Sequence, residues 1–216
     1  MTLVVGLDTG GTFTDAALLD MSKRRVIASA KSLTTRHNLA IGVDNAIDAL
    51  LTSWNGNRDD ISLVSLSTTL ATNAIVESVG GAVCLILIGF DVEMTGRAGL
   101  IDALGNDPVF HLSGGHKTDG SMQGPLDEKA LYAALENITG QVSSFAVASH
   151  FATRNPEHEQ RVRDIVRKTT GLPVSCSYEL SSSLGGPRRA LTALLNARLI
   201  SLLERLITAT EQVMIT

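Results

Sequence analysis

Three apolar, β-branched runs open the chain, at residues 3–8 (LVVGLD), 12–19 (TFTDAALL) and 25–31 (RVIASAK), with short polar connections between them. The pattern predicts a three-stranded antiparallel meander. Apolar positions then recur at helical spacing, at Leu39, Val43, Ala46, Ile47 and Leu50, behind Asn38 as N-cap, and predict a helix over 39–51. Beyond it ISLVSLS reads as a strand, TLATNAIVESV as a helix closed by Gly80 and Gly81, and AVCLILI as a fully buried strand. The order to this point is β-β-β-α-β-α-β.

Residues 89–125 lose this periodicity. Glycines and polar residues dominate, with short apolar stretches at 99–104 and 109–112, and an irregular, partly exposed insertion is expected. Regular patterning returns with a helix over 126–138, a strand over 145–151, a helix over 156–169 and a short strand, PVSCS. Asn155 suits the cap of that helix and Pro156 its first turn. The last segment, 187–210, is apolar at Leu191, Leu194, Leu195, Leu199, Leu202, Leu203 and Leu206, more of a helix circumference than one face requires. Such a helix is either core between two lobes or an edge that seeks cover, so self-association of the chain is expected. One domain over 1–210 is the expected organisation.

Composition narrows the function classes. A hydrophobic content of 44% supports a sizeable core, while a net charge of −4 provides no basic footprint for nucleic acid or an anionic membrane surface. No apolar run reaches the ~18 residues of a membrane span, and the first residues carry no basic leader pattern. Cys84 and Cys176 lie in strand-like stretches without a CxxC and read as buried thiols of a reducing compartment. A cytoplasmic location is expected.

The densest chemistry lies in DTGGTFTD, residues 8–15. A hairpin turn needs only its glycines and an aspartate. Here Thr9, Thr12 and Thr14 add hydroxyls beside Gly10 and Gly11, and Asp8 and Asp15 bracket the loop. Glycines let backbone N–H groups approach an anion closely, hydroxyls add donors, and a carboxylate at the end of the first strand can hold Mg²⁺ through water. That combination is phosphate chemistry. The competing nucleotide motifs, GxxxxGK[ST] and GxGxxG opening a helix, are missing. Thr68, Thr69 and Asn73 stand where a strand passes into a helix, suited either to capping or to a ligand at the carboxyl ends of parallel strands.

The remaining polar candidates have plainer readings. His111, His116 and Asp119 could offer metal ligands but fit a solvated loop better. His150 ends a buried strand, while Glu157, His158 and Glu159 fall in a first helical turn, where the carboxylates suit the helix dipole. Arg188 and Arg189, at the wrong end of their helix for its dipole, call for an anion or an acidic residue as partner.

DTGGTFTD in a hairpin, with the element order above, resembles the phosphate loop of the actin, sugar kinase and Hsp70 superfamily. STTLATNAIVESVG (67–80), GPLDE (124–128), NPEHEQRV (155–162) and LTALLNARL (191–199) are similar, in that order, to segments of the hydantoinase A and 5-oxoprolinase family. The resemblance implies an RNase H-like, actin-like ATPase lobe of α/β class, with a second ATPase lobe outside this chain and a hydantoinase B-like subunit as partner. It implies ATP, Mg²⁺ and often K⁺, used to open cyclic amides of hydantoin or 5-oxoproline type, or to activate a ketone for carboxylation, by phosphorylating a carbonyl oxygen. Asp8 would then orient Mg²⁺, with Thr9, Gly10, Gly11, Thr12 and Thr14 around the phosphates. Asp15 would support loop or metal, and Thr68, Thr69 and Asn73 would face the substrate. A non-catalytic activator or scaffold, and a small-metabolite kinase, use the same kind of lobe.

Overall fold

The computed structural model describes residues 2–35, 39–68, 80–138 and 140–215. They form two compact units, Met1–Val79 with Leu202–Thr216, and Gly80–Ser201.

In the first unit, β1 (Leu3–Thr9) and β2 (Phe13–Asp20) make a hairpin, and β3 (Arg25–Leu33) extends it antiparallel. The buried Asp20 closes the β2–β3 link by accepting the N–H groups of Ser22 and Lys23, at 3.0 and 3.1 Å. Helix α1 (Leu39–Trp54) follows, then a 3₁₀ turn at Arg58–Asp60 whose cap, Asn57, accepts the Asp59 N–H. β4 (Ile61–Thr68) returns parallel to β1, and the sheet order is β3-β2-β1-β4. Side chains alternate across a strand, so Leu3, Val5 and Leu7 share one face with Ala16 and Leu18. That face packs on Val43, Ala46, Ile47 and Leu50 of α1 and on Leu206.

The second unit is built on a parallel sheet. β5 (Val83–Ile88), β6 (Val109–Leu112), β7 (Ser144–Ser149) and β8 (Val174–Cys176) pair in the order β6-β5-β7-β8. Short helices α2 (Val92–Thr95) and α3 (Leu100–Leu104) connect β5 to β6. α4 (Glu128–Ile138) and α5 (Glu157–Thr170) cover one face through Leu131, Leu135, Val162 and Ile165. α6 (Ser177–Leu180) leads to α7 (Gly186–Ile215), whose Ala190, Ala193, Leu194 and Ala197 cover the other face with Leu100 and Leu104. Both faces being covered, every residue of β5 and β7 is buried, which is why these strands read as continuous apolar runs.

The expected elements form within one to five residues of their anticipated ends wherever the chain is described. Asn38 and the helix anticipated over TLATNAIVESV, with Thr69 and Asn73, lie outside the described residues. In chain order the described elements run β-β-β-α-β through β4. β5 then opens a second sheet instead of joining the first. The stretch 89–125 is not a loose insertion, because Val109–Leu112 supplies β6, hydrogen-bonded beside β5. Four residues among glycines carry too short a pattern to announce an edge strand. The leucines at 191–206 are buried or half-buried, and among the described residues of α7 the exposed large apolar one is Ile207.

One buried charge pair ties the carboxyl edge of the second sheet together. Glu159 is fully buried and accepts three hydrogen bonds, from the Ser149 N–H (2.7 Å), the Ser177 hydroxyl (2.6 Å) and the Tyr178 N–H (3.2 Å). Arg189, 1% exposed, donates to Ser149 O and Ser183 O, both at 2.8 Å, and to the same Ser177 hydroxyl at 3.3 Å. Both main-chain polar groups of the last residue of β7 are thus held by side chains of α5 and α7. Burial pushes the Glu159 carboxyl up and the Arg189 guanidinium down, while the three donors and the opposite charge pull Glu159 back. Arg189 has found the acidic partner its placement called for, and Glu159 serves this network rather than only a helix dipole. Arg189→Met should lower the unfolding free energy by ~3 kcal/mol, because it strands a buried carboxylate without its countercharge. Urea unfolding checks this, and a loss below ~1 kcal/mol would mean the pair is not needed.

Candidate functional site at the first hairpin

The turn between β1 and β2 is closed by a hydrogen bond from Gly10 N–H to Phe13 O (2.9 Å) and held from the side by Thr34 N–H on Thr12 O (2.9 Å). The Thr68 hydroxyl, at the end of β4, donates to Thr9 O (2.8 Å). The loop is therefore fixed by two main-chain bonds and one side-chain hydroxyl, and leaves the Thr12 side chain exposed.

Strand alternation sorts the motif's side chains into two sets. Thr9 and Thr14 point to the covered face and are fully buried. Thr14 Oγ1 is paired with Thr34 Oγ1 at 3.0 Å, and Thr9 Oγ1 has no hydrogen-bond partner among the described residues. Asp8 and Asp15 point the other way. Sheet register sets them directly opposite each other, with Ser67 of β4 opposite Asp8 and Lys31 of β3 opposite Asp15. The result is a polar row, Ser67-Asp8-Asp15-Lys31, straight across four strands. Two facing carboxylates repel, and Lys31 Nζ relieves one of them at 3.0 Å from Asp15 Oδ1. The row borders a groove of about 600 Å³ whose floor is small, with Gly6, Ala17 and Ser29. Lys31 and Ser67 carried no signal in the sequence, because their place depends on the register of β3 and β4.

Among the described residues the histidines gather elsewhere, in the second unit at the carboxyl ends of β5, β6 and β7. His158 Nδ1 accepts the Gly115 N–H at 2.9 Å, and its ring lies 4.4 Å from that of His116. His116 was expected in a solvated loop but is fully buried, with neither ring nitrogen bonded among the described residues. Its N–H donates to His150 O, and Gly89, Gly114 and Gly115, all at positive φ, let the loop close this tightly. A Cβ on Gly114 would stand 2.8 Å from Ile88 and 3.1 Å from His158. His150 bonds Gln123 through Nδ1 (3.1 Å), His111 is exposed, and Asp119 is capped by Ser121. Among the described residues no three His, Cys, Asp or Glu side chains could hold a metal ion. Burial pushes the Cys84 and Cys176 thiols up to about 12, so they are inert at neutral pH.

Residues 4–170 match the hydantoinase/oxoprolinase N-terminal region. The chain belongs to that family. As a hydantoinase/oxoprolinase N-terminal region it is 32% identical, over 94% of its length, to the caprolactamase subunit alpha of Pseudomonas jessenii. It is 29% identical, over 90%, to the acetophenone carboxylase gamma subunit of Aromatoleum aromaticum. It spans about a third of each of these relatives, 32% and 31%. The crystal structure of ATP-dependent caprolactamase from Pseudomonas jessenii superposes on 98% of this chain and 33% of that one, at 25% identity and a TM-score of 0.76. A nucleotide-free acetone carboxylase agrees in fold, at 22% identity and a TM-score of 0.68 over 98% of this chain and 35% of that one. Among the described residues no helix is long and apolar enough to cross a membrane.

Burial lowers both His116 and His158, the neighbouring His116 further disfavours the His158 cation, and Glu157 opposes the shift at both. A histidine lowered in the folded state contributes stability that is complete above its unfolded value, 6.5. That contribution is lost as pH falls from there through the lower folded value. Urea midpoints should therefore drop between pH 7.5 and 5.5. The drop should shrink in His158→Asn, whose amide oxygen can still accept the Gly115 N–H without titrating. An undiminished drop in that variant would remove His158 as its source.

Proposed function

We propose that this chain is the phosphate-binding part of an enzyme that uses ATP to activate the carbonyl group of a cyclic amide or a ketone. The observation that carries the reading is the polar row beside the Gly10-Gly11 turn, on a groove open to solvent, within the matched family region. Relatives named as an ATP-dependent caprolactamase and as ketone carboxylase subunits support ATP as co-substrate and a lactam or ketone as the group acted on. Their subunit names, alpha, beta and gamma, support partner chains in the working enzyme. In this reading the lobe is of the actin-like ATPase type and a second lobe completes the nucleotide site.

The residues present fit Mg²⁺ as well as phosphate. Magnesium keeps most of its water and is held by one or two carboxylates together with substrate phosphates, and Asp8, exposed on the groove beside the turn, is such a carboxylate. When bound, the ion would offset charge on the phosphates during transfer. Asp15 would orient water around it. The main chain of Gly10, Gly11 and Thr12, with the exposed Thr12 hydroxyl, would hold phosphate oxygens. Thr14 would act from beneath, its hydroxyl bracing the turn through Thr34 rather than meeting phosphate. Thr68 likewise would brace the loop from β4. The chemistry we favour is phosphoryl transfer to the carbonyl oxygen, which turns a stable amide or ketone into a good electrophile. The protein's share would be positioning and charge stabilisation.

Asp8→Asn should leave the fold intact, since the carboxylate is exposed, and lower Mg²⁺-dependent ATP turnover of the assembled enzyme by ~10² or more. Steady-state phosphate release at saturating Mg²⁺ measures it, and turnover within a few-fold of the unmodified enzyme would refute the assignment.

A further inference from the structure

We infer that Lys31 is the groove's phosphate-binding cation, exchanging its contact with Asp15 for the terminal phosphate of a nucleoside triphosphate. The inference rests on the groove being the nucleotide site, and adds a residue that neither the motif nor the family region's description identifies. The register Asp15↔Lys31 places the side chain on the groove face, in line with both carboxylates. Its ammonium stands 4.9 Å from the centroid of the Phe13 ring, the first side chain after the Gly10-Gly11-Thr12 turn, so the ring steers the charge towards the loop.

Charge balance gives that ammonium a task. The groove is bordered by two carboxylates, and a nucleoside triphosphate brings further negative charge than one divalent ion can offset. Among the described residues that line the groove, Lys31 is the one cation. Its bond to Asp15 is easily given up, because both side chains are half exposed, at 56% and 50%, and exposed ion pairs contribute little. A four-carbon stem lets the point charge swing without moving β3.

Calorimetric titration of MgATP and MgADP into the intact protein tests this, using Lys31→Gln, Lys31→Arg and Asp8→Asn, with melting curves as a check on folding. Lys31→Gln should weaken MgATP binding about tenfold with an unchanged melting temperature. MgADP should be affected much less, and Lys31→Arg should recover most of the affinity. If Lys31→Gln fails to melt cooperatively, Lys31→Met, which keeps the stem over Phe13, replaces it. Unchanged MgATP affinity in a folded Lys31→Gln or Lys31→Met, alongside weakened binding in Asp8→Asn, overturns the role of Lys31 and leaves the groove as the nucleotide site. Equal losses for MgATP and MgADP overturn the assignment to the terminal phosphate. No MgATP binding by the unmodified protein overturns the groove reading and the inference together.

Discussion

A strand shows successive side chains to opposite faces, and in the first sheet α1 and the end of α7 cover one of those faces while the other borders a groove. Most of what the hairpin can do follows from that asymmetry. Leu3, Val5 and Leu7 must face α1, which obliges Thr9 to face it too and turns Asp8 outward. Ala16 and Leu18 impose the same choice on β2, so Thr14 goes in and Asp15 comes out. A shift of register by one residue would exchange the two sets and bury both carboxylates. The apolar core thus selects which parts of an eight-residue motif are available to a ligand.

The second sheet obeys the opposite condition. Both its faces are covered, so polar side chains at its carboxyl edge have no water to fall back on and must satisfy one another. Glu159 and Arg189 do so through the Ser177 hydroxyl and the two polar groups of Ser149. The arrangement locks the end of β7 to the β8–α6 junction and to α7. Just beyond it the glycine loop folds His116 under His158. His116 is an exception to satisfaction, with the Thr95 and Thr153 hydroxyls, and a buried imidazole with two unbonded nitrogens costs free energy on the order of 1–3 kcal/mol.

These two kinds of packing lie within one family region, which spans both units. The relatives are about three times longer than this chain, as its 31–32% coverage of them gives. Enzymes that transfer phosphoryl groups work by enclosing charge, and in the proposed function the open groove with its carboxylate row would supply one wall of such an enclosure. That is why the proposed role assigns binding and metal placement to this chain and leaves closure of the site to a second lobe.

Much of this was legible in the residues. The apolar runs fixed the type of the longer described elements, because burial demands matching periodicity, and the glycine-threonine-aspartate motif marked the hairpin turn. The sequence also showed that Arg189 required an anionic partner. It could not show that the partner is Glu159, since charges meet across loops whose closure depends on the whole sheet. It could not place β5 in a second sheet, as a fully apolar strand looks the same in either, nor recognise β6 from four residues. Above all, DTGGTFTD presents five polar side chains without saying which face each takes, and Lys31 and Ser67 lie far from it in sequence. Only pairing of β1 with β2 and β4, and of β2 with β3, brings them into one row, because register is settled by packing over the entire sheet and not by any local stretch.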